Sequence, residues 1–366
     1  MRICLIEPYD TGSHAAWLRG YAGHSRHEVI PLTLDGQYWR WRMLAGAATL
    51  ARLYRERAVH ADLLLATDML DLTTFLALTR ERTGALPVAL YMHENQLTYP
   101  LRPGDKRELE YAWINCASML CADRILFNSQ YHLDSWFDEL PRMLKHYPDH
   151  NELHIVGELR ARSEVLPLGL DLGALDAPRP AEPNTGAAVI LWNHRWEYDK
   201  DPATFFRVLE TLQQEGLAFS VVLLGQWFVR APAEFEIARA RLGDRLLQYG
   251  YAESRAAYAR WLWRSDIVIS TAIHEFFGAA VLEAMYCGCL PILPDRLSYP
   301  QFIPPQHRAR CLYRDEAGLC ALLRQAIRNV SATRHTSLRA AAQSYDWTIT
   351  ASVYDETLER IARVLR

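Results

Sequence analysis

The sequence predicts an α/β protein built as two doubly wound domains with parallel sheets. Three observations carry that prediction. Short apolar runs alternate with helical patterns along the chain, and a proline-rich polar stretch divides the series in two. The third is length: 366 residues exceed one ordinary core but suit two domains of roughly 150–180 residues each.

In the first half the runs are RICLIE (2–7), DLLLAT (62–67), VALYMHE (88–94) and RILFNS (124–129), closed by SEVLPLGLD (163–171). In the second half they are AVILWN (188–193), SVVLLG (220–225), LLQYGY (246–251), DIVIST (266–271), LPILP (290–294) and RCLYRD (310–315). Strands apolar almost throughout belong to parallel sheets covered on both faces, and the intervening helices supply the cover. DAPRPAEPNTGA (176–187) reads as the linker. The expected division is therefore 1–175, 186–345, and a C-terminal helix over 346–366 that packs back on the first domain. That helix is expected to be capped by Asp346 or Thr348, and 137–160 reads as loop-rich and polar, with room for short helices. In open sheets of this Rossmann-like kind, ligands sit beyond the carboxyl ends of the strands, so the site is expected in a cleft that the two domains face.

Composition narrows the partners. Half the residues are apolar, 23% are charged, and the net charge is −3, so any polyanion must be met by a local basic patch. No apolar run approaches the roughly 20 residues of a membrane span, and MRICLIEPYD reads as a strand rather than a signal peptide. Stable membrane insertion is not expected. Seven cysteines, an odd number beside apolar segments, suggest buried thiols in a reducing compartment, hence the cytoplasm. Cys287-Gly288-Cys289 has no second pair at zinc-like spacing, and no D-x-D follows a strand, so no metal is expected.

The densest chemistry lies in HEFFGAAVLEAMYCG (274–288), after DIVIST. Helical periodicity begins near Phe277, which would place Gly278 in a first helical turn. Unpaired amides there attract an anion, and glycine allows close approach. Glu275 precedes the turn, where it can accept from hydroxyls carried by a phosphorylated ligand. Glu283, eight residues on, is placed to chelate a ribose diol. Alone, the two glutamates read better as a solvated cap-region acid and an exposed helix acid. WNHRWEYDKDP (192–202) adds Arg195 and Lys200 at another strand end, a fork and a point charge suited to a diphosphate. LLGQWF (223–228) and YGYAE (249–253) end two further strands, where a nucleobase is often held.

Together with LPLGLD (166–171), these residues resemble the GT-B retaining glycosyltransferases of family 4. The resemblance implies that Glu275 and the amides of Phe276, Phe277 and Gly278 bind the donor sugar. It implies Glu283 on the ribose, Arg195 and Lys200 on the diphosphate, and His93 beside the reaction centre. His93, Arg195, Lys200 and Glu275 are then the catalytic set. Lys200→Ala is expected to stop turnover without unfolding the chain.

In the first half, EPYDTGSHAAW turns from strand to helix with Ser13 as the expected N-cap, and Gly12 and Ser13 would approach the donor diphosphate. His14, Asp68 in ATDMLD, and Glu94 and Asn95 in YMHENQLTYP are polar groups at strand ends and candidate acceptor contacts. QYWRWRM (37–43) interleaves aromatics with Arg40 and Arg42, a pattern suited to unstacked bases and phosphates; Arg102, Lys106 and Arg107 extend the basic character. The bland alternatives are a helix-start His14, a core His93, and an amphipathic helix with solvated arginines.

EPYDTGSH, LDGQYWRWRM, ATDMLDL, YMHENQLTYP and HEFFGAAVLEAMYCGCLPILP are similar to the tRNA-queuosine mannosyltransferase family. That similarity implies a nucleotide-sugar co-substrate, GDP-mannose, and a queuosine-containing tRNA partner, with mannose passed to the cyclopentene-diol in tRNA-Asp. Two rivals stand beside it. One is a GT-B enzyme with a lipid or polysaccharide acceptor, and the other a non-catalytic protein that binds RNA or sugar nucleotide.

Overall fold

The structure is a computed structural model and describes residues 1–101, 104–180, 184–226, 233–335 and 338–364. Arg102, part of the linker (181–183), and Trp227 and Phe228 of the LLGQWF motif lie outside the described residues.

The chain forms two compact units, Met1–Leu170 with Trp347–Arg366, and Asp171–Asp346. The first contains β1 (Arg2–Asp10), α1 (Gly12–His24), β2 (Glu28–Asp35), α2 (Trp39–Glu56), β3 (Leu63–Thr67) and α3 (Leu72–Thr83). It continues with β4 (Val88–Met92), α4 (Leu109–Cys121), β5 (Arg124–Phe127), α5 (Gln130–Leu144), α6 (Ile155–Ala161) and β6 (Ser163–Val165). All pairings are parallel, in the order β2-β1-β3-β4-β5-β6. β3 and β4 are buried at every position, as continuous apolar runs require.

The second unit contains β7 (Ala188–Asn193), α7 (Pro202–Gln214), β8 (Phe219–Leu224), α8 (Ala233–Leu242), β9 (Leu246–Gly250) and α9 (Arg255–Arg264). After these come β10 (Ile267–Ile269), α10 (Ala279–Tyr286), β11 (Leu290–Pro294), α11 (Arg308–Cys311), β12 (Leu312–Tyr313), α12 (Glu316–Arg328), α13 (Val330–Arg334) and α14 (Arg339–Gln343). Its sheet is also parallel, in the order β12-β11-β10-β7-β8-β9. Two parallel sheets alternating with helices are the architecture expected from the strand series.

Strand order locates the sites. In the first unit the chain runs from β1 to β2 on one side and then to β3 on the other, so strand order reverses at β1/β3. In the second it reverses at β7/β10. A crevice opens past the carboxyl ends of the strands at each such point, because the helices that follow depart to opposite faces.

Several sequence-based boundaries need correction. The first unit ends at Leu170 rather than 175, because Asp176 is tied to Arg339 (2.8 Å) and Tyr286 (2.8 Å) of the second unit. Residues 137–160 hold the end of α5, which runs to Leu144, and the short α6 over 155–161, with loop between them. The strand β2 has no counterpart among the expected runs. It is an edge strand only partly buried, and Pro31 within it masks the signal.

The final helix, α15 (Trp347–Val364), returns to the first unit and packs on α1 and β4. Trp17 Nε1 donates to Tyr354 Oη (3.0 Å), and Tyr21 Oη donates to buried Asp355 (2.9 Å). Gly20 of α1 admits the Trp347 indole, which a Cβ there would strike. Ahead of this helix, Asp346 accepts from the amides of Leu172 and Gly173. The helix thus backs Trp17, whose ring stacks on Tyr91 at 4.7 Å and meets His93 edge-on at 4.6 Å.

Among the described residues no helix is long and apolar enough to cross a membrane. The cysteines are unpaired; Cys4, Cys116, Cys287, Cys289 and Cys311 are buried, whereas Cys121 is exposed.

Candidate active site

In the second unit the two loops at the switch point meet. After β7 the chain makes a single turn of 3-10 helix over Tyr198–Lys200, and then Asp201 caps α7 by accepting from Thr204 N (3.2 Å) ahead of Pro202. After β10 the loop is bound to that turn: Thr271 Oγ1 donates to Lys200 O (2.7 Å), and Ile273 N donates to Asp199 O (2.9 Å). Lys200 is consequently no solvated cation. It is 5% exposed, and Nζ donates to His274 O (2.8 Å) and pairs with Asp199 Oδ2 (3.0 Å) and Glu275 Oε2 (3.3 Å).

This ammonium sets the charge of its surroundings. Burial would raise the Glu275 carboxyl, but Lys200, with His194 and His274 adding to it, holds the group below the usual carboxylate range. Burial and the Lys200 charge push both His194 and His274 down to about 4, so both are neutral at physiological pH. His194 Nε2 lies 3.2 Å from Ile269 O; a carbonyl only accepts, so this nitrogen carries the proton. Arg195 is more open, its side chain 45% exposed and 3.6 Å from Glu197.

Gly278 is the N-cap of α10 rather than part of its first turn, so the helix starts two residues later than its periodicity suggested. Its φ of +105° is left-handed, and an added Cβ would lie 3.1 Å from Tyr299. Both constraints call for glycine. The amides of Ala279 and Ala280 precede the first intrahelical bond, which Val281 N donates to Gly278 O (3.1 Å). Phe276 and Phe277 are buried, Phe276 edge-on to His274 and Phe277 against Phe302 and Tyr345, which fixes the backbone that carries these amides.

Glu283 also differs from a free helix acid. Its side chain is 14% exposed and accepts from Arg255 (2.6 Å) and Tyr258 Oη (2.8 Å). Asn193 Nδ2 donates to Tyr258 Oη (3.1 Å) and Ala280 O (2.8 Å), joining β7 to α10. Asn193, Arg195, Gly225, Gln226, Tyr251, Glu253, Arg255 and Tyr258 line a cavity of about 400 Å³, within the range of nucleotide-sized pockets.

In the first unit, His14, Asp68 and His93 come together at the β1/β3/β4 strand ends. The His14 and His93 rings lie 4.3 Å apart, and the His93 amide donates to Asp68 Oδ1 (2.7 Å). Gly12 has a φ of +52°. The N-cap of α1 is Thr11, which makes no side-chain cap bond, so Ser13 is an exposed first-turn residue and not the cap. Asn95 also needs correction: it is fully buried, and its Oδ1 accepts from the Leu97 and Thr98 amides, so it builds the loop instead of presenting to a ligand. Glu94 accepts from Gln96 (2.8 Å). Arg40 and Arg42 lie in the first turn of α2, Arg40 paired with Glu108 (2.9 Å) and Arg42 donating to Asp35 O (3.0 Å). Beside them Tyr38 is 77% and Trp41 61% exposed, while Trp39 packs against Tyr111.

Sequence reasoning missed Glu7, Asn193, Asp199, Arg255 and Tyr258. The signal for Glu7 was available, a carboxylate inside an otherwise apolar strand. Arg255 and Tyr258 carry none, because their link to Glu283 spans more than twenty residues of chain.

Two parallel α/β units with a buried lysine–glutamate pair at one switch point define a GT-B glycosyltransferase. Residues 176–331 match the family described as glycosyl transferases group 1. Solved structures agree on the fold: Anabaena Alr3699/HepE in complex with UDP has a TM-score of 0.70 at 16% identity, covering 98% of this chain and 100% of that one. The E. coli trehalose-6-phosphate structure bound with UDP-2-fluoro glucose gives 0.71 at 11%, covering 99% of each.

Residues 2–170 match the family described as tRNA-queuosine alpha-mannosyltransferase N-terminal. A Drosophila melanogaster tRNA-queuosine alpha-mannosyltransferase is 34% identical over 317 residues, covering 83% of this chain and 82% of its own. A GDP-mannose:cellobiosyl-diphosphopolyprenol alpha-mannosyltransferase of Xanthomonas oryzae pv. oryzae is 23% identical over 44% of each chain. The chain belongs to the tRNA-queuosine alpha-mannosyltransferase family.

Proposed function

We propose that this enzyme transfers mannose from GDP-mannose, with retention, to the cyclopentene-diol of queuosine in tRNA-Asp, and that it acts in the cytoplasm. The observation that carries the acceptor is the family match over 2–170, the half of the chain that does not hold the nucleotide motifs. The exposed Tyr38 and Trp41 with Arg40 and Arg42 support it, since aromatic faces beside guanidinium groups suit unstacked RNA bases.

In this reading the 400 Å³ cavity receives the nucleoside and Glu283 the ribose, oriented by Arg255 and Tyr258. Glu275 and the Gly278 turn receive the mannosyl group, while Arg195 and Lys200 meet the diphosphate. The bond from the anomeric carbon to the phosphate oxygen breaks as the acceptor hydroxyl attacks the same face. The hydroxyl proton passes to the departing phosphate oxygen, so no separate base is needed. Lys200 and Arg195 stabilise the charge that develops on that oxygen, a preorganised contribution already in place before reaction. Asp199 holds Lys200 from behind.

The donor is tested by melting. Ligand bound only to the folded state raises its stability by about 2.7 kcal/mol at a hundred times Kd. GDP-mannose is expected to raise Tm markedly and UDP-glucose little. A larger shift with UDP-glucose would overturn the donor assignment.

A further inference from the structure

The transfer reading leaves Glu7 unused, although it is a fully buried carboxylate in the middle of a central strand. A buried charge persists only where it is paired. Oε1 accepts from Tyr9 N (2.8 Å), and Oε2 lies 2.9 Å from His14 Nδ1. The carboxylate can only accept, so His14 Nδ1 carries the proton. The His14 ring in turn lies against His93, tilted by 44° at 4.3 Å. Two charged imidazoles cannot share that separation cheaply in a buried site, so a carboxylate on one side decides which ring is charged.

We infer that Glu7 is a positioning residue: it fixes His14 as a charged hydrogen-bond donor beside a neutral His93, and the couple receives a hydroxyl group of the acceptor. The inference rests on the proposed reading that residues 2–170 receive the acceptor. His93 Nε2 is buried without a hydrogen-bond partner among the described residues, as is Asp68 Oδ2, so polar capacity beside His14 is unused.

The electrostatic surroundings agree. The groups facing His14 are Glu7 and Tyr9 from β1, Asp68 beyond β3, and His93 and Glu94 beyond β4; His132 of α5 faces His93. Burial would push the His14 imidazole down, but Glu7 overrides it and raises it to about 9, with Asp68 and Glu94 adding to the effect. Burial and the His14 charge push His93 well below the usual range. Glu7, His14 and His93 also bring three metal-capable atoms within 4.8 Å. The 2.9 Å Glu7–His14 separation is that of a charge-assisted hydrogen bond.

The test begins with the full wild-type chain, by NMR titration of the histidine rings. His14 is expected to keep its proton up to about pH 9. In Glu7→Gln, which preserves shape and removes charge, its titration should fall by roughly 1–3 pH units. The alkaline limb of kcat/KM should move down with it, and Glu7→Asp should restore part of the shift. Because the folded-state value is raised, the pair stabilises the fold below the ordinary histidine range, and that contribution is lost as pH rises through about 9. Glu7→Gln should flatten this decline in Tm. A wild-type His14 that titrates near 6.5 would overturn the inference, as would an unmoved pH profile in Glu7→Gln, or zinc binding that perturbs His14 and His93 at one equivalent. The NMR arm needs no turnover, so it stands apart from any failure of the proposed reaction.

Discussion

Lys200→Ala is expected to lower kcat by about 10²–10³-fold, the usual loss when one preorganised donor to a developing oxyanion is removed. The expectation that this variant leaves the fold intact does not survive the structure. The Lys200 side chain is 6% exposed, and its loss strands the Asp199 carboxylate at 1% and Glu275 at 22%. Removing one partner of a buried pair costs about 3–5 kcal/mol. A large drop in Tm should therefore accompany the lost activity. Adding Asp199→Asn relieves the stranded charge and should recover much of the Tm, while kcat stays low. Recovery of kcat together with Tm would show that Lys200 acts only on stability.

Glu275→Gln should lower kcat/KM for transfer by about 10–100-fold, equivalent to losing one hydrogen bond from a charged acceptor of 1.5–3 kcal/mol. Glutamine keeps the shape, and Lys200 keeps Asp199 and the His274 carbonyl, so the fold should hold. The informative measurement is steady-state kinetics with the donor varied at saturating tRNA. Near-wild-type kcat/KM would remove Glu275 from the reaction.

The architecture was legible because β3, β4, β7 and β11 are buried at every position and therefore almost continuously apolar. AVILWN and LPILP match β7 and β11 residue for residue. The strand β2 was illegible for the opposite reason: an edge strand tolerates Pro31 and polar positions, so its pattern resembles a loop. Site legibility followed the same logic. Lys200 and Glu275 could be singled out because each leaves a buried strand as a charged residue. Their contact, 75 residues apart in sequence, came only with the fold. Glu7 interrupts an otherwise apolar strand, a signal that was there to read, whereas nothing in the sequence sets Asp199 apart from an ordinary surface acid. Asn95 misled in the other direction, since asparagine that shapes a turn and asparagine that meets a ligand look alike in sequence.

Transfer of a hexose to queuosine is read out by nucleoside mass spectrometry. The protein would be incubated with GDP-mannose and tRNA from cells that make queuosine, in parallel with tRNA from cells that lack it. Digestion of the first tRNA should yield queuosine carrying one additional hexose, and digestion of the second should yield no hexosylated nucleoside. Equal transfer to both tRNAs, or no transfer with any sugar nucleotide tested, would contradict the account.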